Sequence, residues 1–76
     1  MRQLCALVAD VLGVGRDMVS AETGPLTLPR WDSLNHMRIV AAVEETYGVQ
    51  LATEEIVSTL SVNDFATLLR TKGVQP

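Results

Sequence analysis

The sequence predicts an all-α fold: a four-helix bundle with three longer helices, one short helix between the last two, and a long first loop. Three observations support this prediction. Apolar residues recur at helical spacing in three stretches, and Gly-Pro and Pro positions interrupt the chain after the first of them. The 76 residues suffice for one small core. We therefore expect a single domain over residues 1–76, stabilised by roughly 3–5 kcal/mol.

The first helix is predicted from apolar residues at i, i+3, i+4 and i+7 spacing, with Gly13 or Gly15 as its stop. These residues are Leu4, Cys5, Val8, Val11 and Leu12. From residue 14 to 31 no period is sustained, and Gly24-Pro25 and Pro29 break regular structure. So long a connection in a small domain should be packed or functional. Four apolar residues can pin it to the bundle: Val19, Leu26, Leu28 and Trp31.

The second helix is predicted from Ser33 to about Tyr47, with Asp32 as N-cap and Gly48 as the residue that ends it. At about 100° per residue, one side gathers apolar residues that should face the core. These are Ile39, Val40, Val43 and Tyr47, with His36 between them. A second, narrower apolar line outside the expected core comprises Leu34, Met37 and Ala41, with Arg38 and Glu45 beside it.

A short third helix should be capped by Thr53, carry Glu54 and Glu55 in its first turn, and end near Thr59 or Leu60. The last helix should begin at a variant capping box formed by Ser61 and Asp64 and close at Lys72-Gly73. Its buried stripe is predicted to be Val62, Phe65, Leu68 and Leu69. Residues 73–76 are expected to fray.

Composition narrows the functional classes. The net charge is −3 and the six basic residues are scattered, which argues against nucleic acid as a partner. The single cysteine, Cys5, excludes an internal disulfide framework and a cysteine-based zinc site; we expect it in the core of a protein from a reducing cytoplasm. No apolar stretch approaches the length of about 20 residues that spans a membrane, and no leader pattern is seen. We therefore expect a soluble, unprocessed chain that does not bind membranes.

Ser33 is the candidate functional residue, because a serine in the first turn of a helix is held by its backbone while its hydroxyl can face solvent. Asp32, Ser33 and His36 are the three residue types of a Ser-His-Asp catalytic triad. Three residues at one helix start rarely provide the geometry of a base oriented by an acid, so we do not expect a hydrolase. As the only histidine, His36 is also a poor nucleus for a metal site. For an arbitrary helical protein, Ser33 would merely help to cap the helix.

The segment Trp31-Asp32-Ser33-Leu34, the apolar run and paired glutamates of 39–45, and Tyr47 ahead of a short exit loop resemble the acyl carrier proteins. The resemblance extends from about Leu4 to Lys72. It implies that Ser33 carries 4′-phosphopantetheine, which a phosphopantetheinyl transferase takes from coenzyme A with magnesium. The thiol of this arm would hold acyl groups as thioesters, and tethering would deliver them to partner enzymes without tight binding. The chain itself would be no enzyme.

The resemblance also implies partners. We expect a monomer that meets the transferase and then acyl-loading and acyl-consuming enzymes, such as a ligase, acyltransferase or ketosynthase. The expected docking surface comprises Asp32, Leu34, Met37, Arg38 and Glu45. Methionine adapts its shape to several partners, which suits a surface that several enzymes read in turn.

Departures from the family patterns indicate the type of carrier. Arg30-Trp31 stands where peptidyl carriers usually have Gly-Gly, which favours an acyl type. Asn35 and Arg38 weaken the acidic strip of fatty acid synthase carriers, which favours a dedicated partner enzyme. Residues 28–31 replace the Leu-Gly that usually precedes the motif, and such Trp-Asp-Ser-Leu forms resemble stand-alone carriers of polyketide and other specialised biosynthesis. Two alternatives remain: an aminoacyl or peptidyl carrier, of the D-alanyl or discrete nonribosomal type, and an unmodified helical interaction module. The cargo, and whether its acyl chain hides within the bundle near Ala41 and Ala42, stay open.

Overall fold

The computed structural model describes residues 1–76 and contains four α-helices and no strand. They are α1 (Arg2–Leu12), α2 (Ser33–Tyr47), α3 (Thr53–Ser58) and α4 (Val62–Thr71). This confirms the predicted four-helix fold, with its three longer helices, its short helix before the last, and its long first loop. The loop also contains a single 3-10 turn at Arg16–Met18, which was not predicted. That turn buries no residue, so the sequence contains no apolar period from which it could be predicted.

The core lies where α1, α2 and α4 meet, and the loop closes one side of it. Trp31 of the loop and Phe65 of α4 are its largest side chains, and their rings stack with centroids 6.3 Å apart. Cys5 is buried, as predicted. The buried apolar residues are Leu4, Cys5, Val8, Ala9, Leu12, Val19, Leu28, Trp31, Ile39, Val40, Val43, Leu51, Val62, Phe65, Ala66 and Leu69.

The predicted ends of α1 and α2 are confirmed. Gly13 and Gly48 follow the two helices in the left-handed conformation, with φ of 69° and 67°, which glycine adopts without a Cβ penalty. Asp32 caps α2, because its Oδ1 accepts the Asn35 N–H at 2.9 Å. The C-terminus of α1 gains a second partner from the loop, since Arg30 Nη1 donates to the Leu12 carbonyl at 3.1 Å. A cation therefore sits at the negative end of a helix that has no basic residue in its own last turn.

The cap predicted for α3 is wrong. Ala52 is the N-cap and Thr53 is already helical. Ala52 has no side-chain acceptor, and the one side-chain bond at this helix start is the reciprocal one, in which Glu55 accepts the Ala52 N–H at 2.8 Å. The variant capping box of α4 does form, because Ser61 Oγ accepts the Asp64 N–H at 3.1 Å. Its reciprocal bond starts one residue earlier than in the standard box, with the Asp64 carboxylate accepting the Leu60 N–H at 2.8 Å.

The long loop is packed against the bundle. Val19, Leu28 and Trp31 are buried as predicted. The prediction for Leu26 is wrong: it is 85% exposed, at the tip of a turn in which the Gly24 carbonyl accepts the Thr27 and Leu28 N–H groups. A turn this tight directs Leu26 outward while Leu28 returns to the core.

The last helix and the tail differ from prediction in two places. Leu68 is half-buried, whereas the rest of the predicted stripe of α4 is fully buried. Residues 73–76 are not frayed, since Val74 packs against the core and the Tyr47 hydroxyl donates to the Pro76 carbonyl at 3.0 Å. Partial burial, and to a lesser degree the charge of Cys5, raise the pKa of Tyr47. None of the four helices is both long enough and apolar enough to cross a membrane.

Candidate functional site

Ser33 is the first residue of α2 and is exposed. Its backbone is fixed by the bonds of its neighbours. Asp32 accepts the Asn35 N–H, and Asn35 Nδ2 donates to the Arg30 carbonyl at 2.8 Å, which ties the loop to the first turn of the helix. Neither bond uses the Ser33 hydroxyl. The structure thus places a rigidly held serine at the surface with its oxygen open to chemistry.

His36 provides no base for Ser33, because both of its ring nitrogens are occupied. Trp31 Nε1 donates to Nδ1 at 2.9 Å, and Nε2 lies 2.9 Å from the Ile56 carbonyl oxygen. The Asp32 carboxylate caps the helix at the Asn35 N–H. Asp32, Ser33 and His36 therefore form no relay, which agrees with the expectation from the sequence. His36 is half-buried, at the boundary of the core.

A pocket of about 490 Å³ opens beside Ser33, between the loop, α2 and α3. Its lining residues are Pro25, Trp31, Asp32, Ser33, His36, Met37, Ile56, Val57, Thr59 and Leu60. The sequence analysis missed the wall that α3 contributes. A signal was available in the sequence, because Val57 on α3 and Leu60 just after this helix are apolar residues three apart. In the structure they are 73% and 53% exposed.

The expected docking surface lies on the outer face of α2. Leu34 and Met37 are 70% and 51% exposed, so the second apolar line does lie outside the core. Ala41 beside them is also exposed. Asp32, Arg38 and Glu45 are exposed as well, which leaves their charges available to a partner. Their docking role itself stays a prediction.

One ion pair joins α3 to the end of α4. Lys72 Nζ, at the end of α4, lies 3.2 Å from Glu55 Oε1 in the single salt bridge of the structure. The hydrogen bond from Ala52 N–H, and then the one from Lys72, lower the pKa of Glu55. No group of three or more His, Cys, Asp or Glu side chains is placed to hold a metal ion.

The comparison with known families decides what this site belongs to. A family model described as "Phosphopantetheine attachment site" matches residues 2–69. The chain belongs to this family. The matched range contains all four helices except the last two residues of α4, together with the loop that carries the Trp31-Asp32-Ser33 segment.

Two relatives of the chain show which kinds of protein carry this domain. It is 39% identical over 72 residues to the nonribosomal peptide synthetase ecdA of Aspergillus rugulosus, which covers 95% of this chain and 1% of that protein. It is 31% identical over 67 residues to an acyl carrier protein of Bdellovibrio bacteriovorus, covering 88% of this chain and 86% of that protein. The chain thus spans about 1% of the length of the first relative and most of the second. Both matches agree with a carrier protein that works with partner enzymes.

Membership in the phosphopantetheine attachment site family makes covalently bound 4′-phosphopantetheine the cofactor. The residues around Ser33 fit this group. An open hydroxyl can form the phosphodiester, and the first turn of a 15-residue helix is the positive end of its dipole, where a phosphate is favoured. The pocket next to Ser33 leaves room at the base of the arm. When bound, the arm supplies a thiol that the chain's own surface lacks, since Cys5 is buried.

Proposed function

We propose that Ser33 is the attachment residue and that this chain, as a single domain over residues 1–76, is an acyl carrier protein. The observation that carries the proposal is that Ser33 has the one serine hydroxyl without a partner. The other three serines are engaged: Ser20 Oγ contacts Glu22 and Thr23, Ser58 Oγ donates to the Glu55 carbonyl, and Ser61 Oγ caps α4.

The chain's part in the modification is positional. Ser33 Oγ forms the new ester bond to phosphorus, the pyrophosphate bond of coenzyme A breaks so that its nucleotide half leaves, and the serine proton passes to a base. Both ring nitrogens of His36 are engaged and Asp32 Oδ1 caps α2, so we assign that base, like the magnesium, to the transferase. The arm then carries the cargo as a thioester between partner active sites. In this role the chain is a substrate and partner of enzymes and catalyses nothing itself.

The intact mass of the purified chain tests the attachment. The chain is incubated with coenzyme A, magnesium and a promiscuous phosphopantetheinyl transferase. We expect a gain of one phosphopantetheinyl unit in the parent and in Ser58→Ala, a matched exposed serine at a helix end. Ser33→Ala should gain nothing. A folded parent without the gain would leave an unmodified helical interaction module as the better interpretation.

The acyl type is supported by the relative of comparable length, an acyl carrier protein, and by Arg30-Trp31 ahead of the attachment motif. A second candidate is an aminoacyl or peptidyl carrier of the D-alanyl or discrete nonribosomal type, which the higher identity to a nonribosomal peptide synthetase favours. Mass spectrometry of the arm on chain recovered from producing cells distinguishes them. A carboxylic acyl group supports the first, and an amino acid or peptide supports the second.

The partners we propose are the transferase and the acyl-loading and acyl-consuming enzymes of polyketide or other specialised biosynthesis, such as a ligase, acyltransferase or ketosynthase. They would meet a cytoplasmic monomer at the surface of Asp32, Leu34, Met37, Arg38 and Glu45. Exposed apolar side chains on both sides of Ser33 support this placement, since clusters of such residues commonly mark protein contacts. These side chains are Leu34, Met37, Val57 and Leu60.

Arg38 is the residue that sets this surface apart from an acidic docking strip. It is exposed, and its guanidinium reaches only Asn35 Oδ1, at 3.5 Å. Since like charges at an interface are costly, Arg38→Glu should raise the loading rate by enzymes of fatty acid synthesis that have basic docking sites. Arg70→Glu, at an exposed arginine on α4, is the matched control and should leave that rate unchanged. Equal rates for parent and Arg38→Glu would refute a dedicated partner.

A further inference from the structure

We propose that His36 is a positioning residue whose neutral form clamps α3 to α2 beside Ser33, and that protonation of its imidazole opens this clamp. The clamp comprises Trp31, His36 and the Ile56 carbonyl. It brings together the end of the long loop, the second turn of α2 and the middle of α3. Its partners are separated by 5 and 20 residues in the sequence.

The two hydrogen bonds define the protonation state of His36. Indole Nε1–H can only donate, so Nδ1 of His36 must be an unprotonated acceptor. A carbonyl oxygen can only accept, so Nε2 must carry the proton that it donates to Ile56. The clamp is therefore complete in one state only, the neutral imidazole with its proton on Nε2.

Protonation replaces the acceptor with a donor. Nδ1–H would then face the Trp31 Nε1–H across 2.9 Å. Trp31 is 1% exposed, so its N–H has little access to water as a substitute partner. One of the two groups must move, because a buried donor without an acceptor is costly. The ring of Phe65, with its centroid 5.8 Å from that of His36, restricts movement toward the core.

No carboxylate forms an ion pair with His36, since the single salt bridge of the structure joins Lys72 and Glu55. The charged groups on the three elements packed against it have other partners or lie at the surface. On the loop, Arg30 donates to Leu12 and Asp32 accepts from Asn35, while Arg16, Asp17 and Glu22 are exposed. On α3, Glu55 binds Ala52 and Lys72, and Glu54 is exposed. On α4, Asp64 accepts from Leu60, and Arg70 is exposed. Its neighbour on α2, Arg38, is cationic and exposed. A charged imidazole therefore gains no ion pair in place of its bond with Trp31.

The clamp matters most for α3, because this helix buries none of its residues. Besides its chain connections, α3 is held by the partial packing of Ile56, by the Glu55–Lys72 pair, and by the His36 bond. Trp31, His36 and Ile56 also line the pocket next to Ser33. Opening the clamp therefore loosens α3 and changes the pocket wall at the same time.

Nuclear magnetic resonance of the unmodified, 15N-labelled chain tests the tautomer directly. At about pH 7.5, where imidazole is mostly uncharged, we expect a protonated Nε2 and an unprotonated Nδ1 in His36. On lowering the pH, the backbone amide signals of residues 56–59 should shift together with the His36 ring signals. A proton on Nδ1 at neutral pH would overturn the proposal, and so would amide signals of residues 56–59 that stay in place while the His36 ring signals shift. This measurement needs no modification of Ser33, so it is independent of the proposed function.

His36→Gln supplies the matched variant, because its carboxamide can still donate to the Ile56 carbonyl and carries no charge at any pH. Between about pH 7.5 and about pH 5.5, the melting temperature of the parent should fall by roughly 4–8 °C more than that of His36→Gln, the shift expected for one lost hydrogen bond in a domain of this size. Equal falls in the two proteins would assign the pH dependence to other groups and reject the clamp.

Discussion

The long loop and the helix α3 contrast in an instructive way. Residues 13–32 contain no helix beyond one 3-10 turn, yet they bury Val19, Leu28 and Trp31, and Trp31 is among the largest core side chains. Residues 53–58 form a regular helix that buries nothing. The irregular segment is thus integrated into the core, whereas the regular one lies on the surface.

The hydrogen bonds of the two regions explain how this arises. Backbone groups of the loop form hydrogen bonds with the start of α4. The Thr23 carbonyl accepts the Val62 N–H and the Ala21 carbonyl accepts the Asn63 N–H, both at 2.9 Å. These are donors that a helix start leaves without intrahelical partners. The bonds from outside to α3 come from one imidazole and one ammonium group, both of which are side chains. Regular secondary structure and firm attachment are therefore separate properties in this protein.

The comparison is tested most severely by removing one large side chain from each region. Trp31→Ala should lower the free energy of unfolding by about 3–5 kcal/mol, comparable to the roughly 3–5 kcal/mol that so small a core provides. Val57→Ala, at a 73% exposed position of α3, should change it by about 0.5 kcal/mol or less. Urea denaturation followed by circular dichroism measures both. A Trp31→Ala variant as stable as Val57→Ala would show that the loop is not part of the core.

A smaller loss is expected from one methyl group where the loop meets the α3–α4 connection. A Cβ on Gly24 would lie 1.9 Å from the Leu60 carbonyl oxygen, so backbone must move. Gly24→Ala should therefore cost about 1–3 kcal/mol of unfolding free energy, the range typical of overpacking. Gly15→Ala is the control, because the Cβ there meets only the end of the flexible Asp17 side chain. Equal midpoints of denaturation for the two variants would mean that the loop can leave α4 at little cost.

The smallest effect concerns the attachment of α3 through Glu55. Its pKa is lowered in the folded chain from 4.5, so the carboxylate contributes stability above its unfolded pKa, and this contribution is lost as the pH falls through the folded value. Glu55→Gln should melt slightly below the parent at neutral pH, and the difference should vanish in acid. Glu54→Gln, the exposed neighbour, serves as control in the same melting series and should show no such pH-dependent difference. A difference that persists unchanged in acid would contradict this role of the Glu55 carboxylate.

Local signals in the sequence were sufficient for the helices and for the position of Ser33. The apolar period, the Asp32 cap and the two helix-ending glycines act within a few residues, so the sequence displays them directly. The cap of α3 was misassigned because a hydroxyl at residue 53 and a carboxylate at residue 55 both suit a helix start. Only the backbone path decides where the helix begins, and it makes Ala52 the N-cap, with Glu55 accepting the Ala52 N–H.

Contacts over long sequence separations were beyond the reach of that reasoning. The period of α2 placed His36 near the core side, but its bond to the Ile56 carbonyl joins residues 20 apart and leaves no pattern in the chain. The same holds for the α3 wall of the pocket and for Leu26, which only the geometry of its turn sends outward. The surface around Ser33 was thus predicted on the α2 side and missed on the α3 side.

The burial of Cys5 has a chemical consequence for a chain whose cofactor ends in a thiol. Cys5 is 2% exposed, so its sulfur cannot accept an acyl group from the arm and cannot form a mixed disulfide with the thiol of the arm. The folded, modified chain therefore presents a single accessible thiol, that of the arm. A thiol-alkylating reagent applied under native conditions therefore modifies only arms that carry no acyl group, so the extent of alkylation measures the loading of the arm.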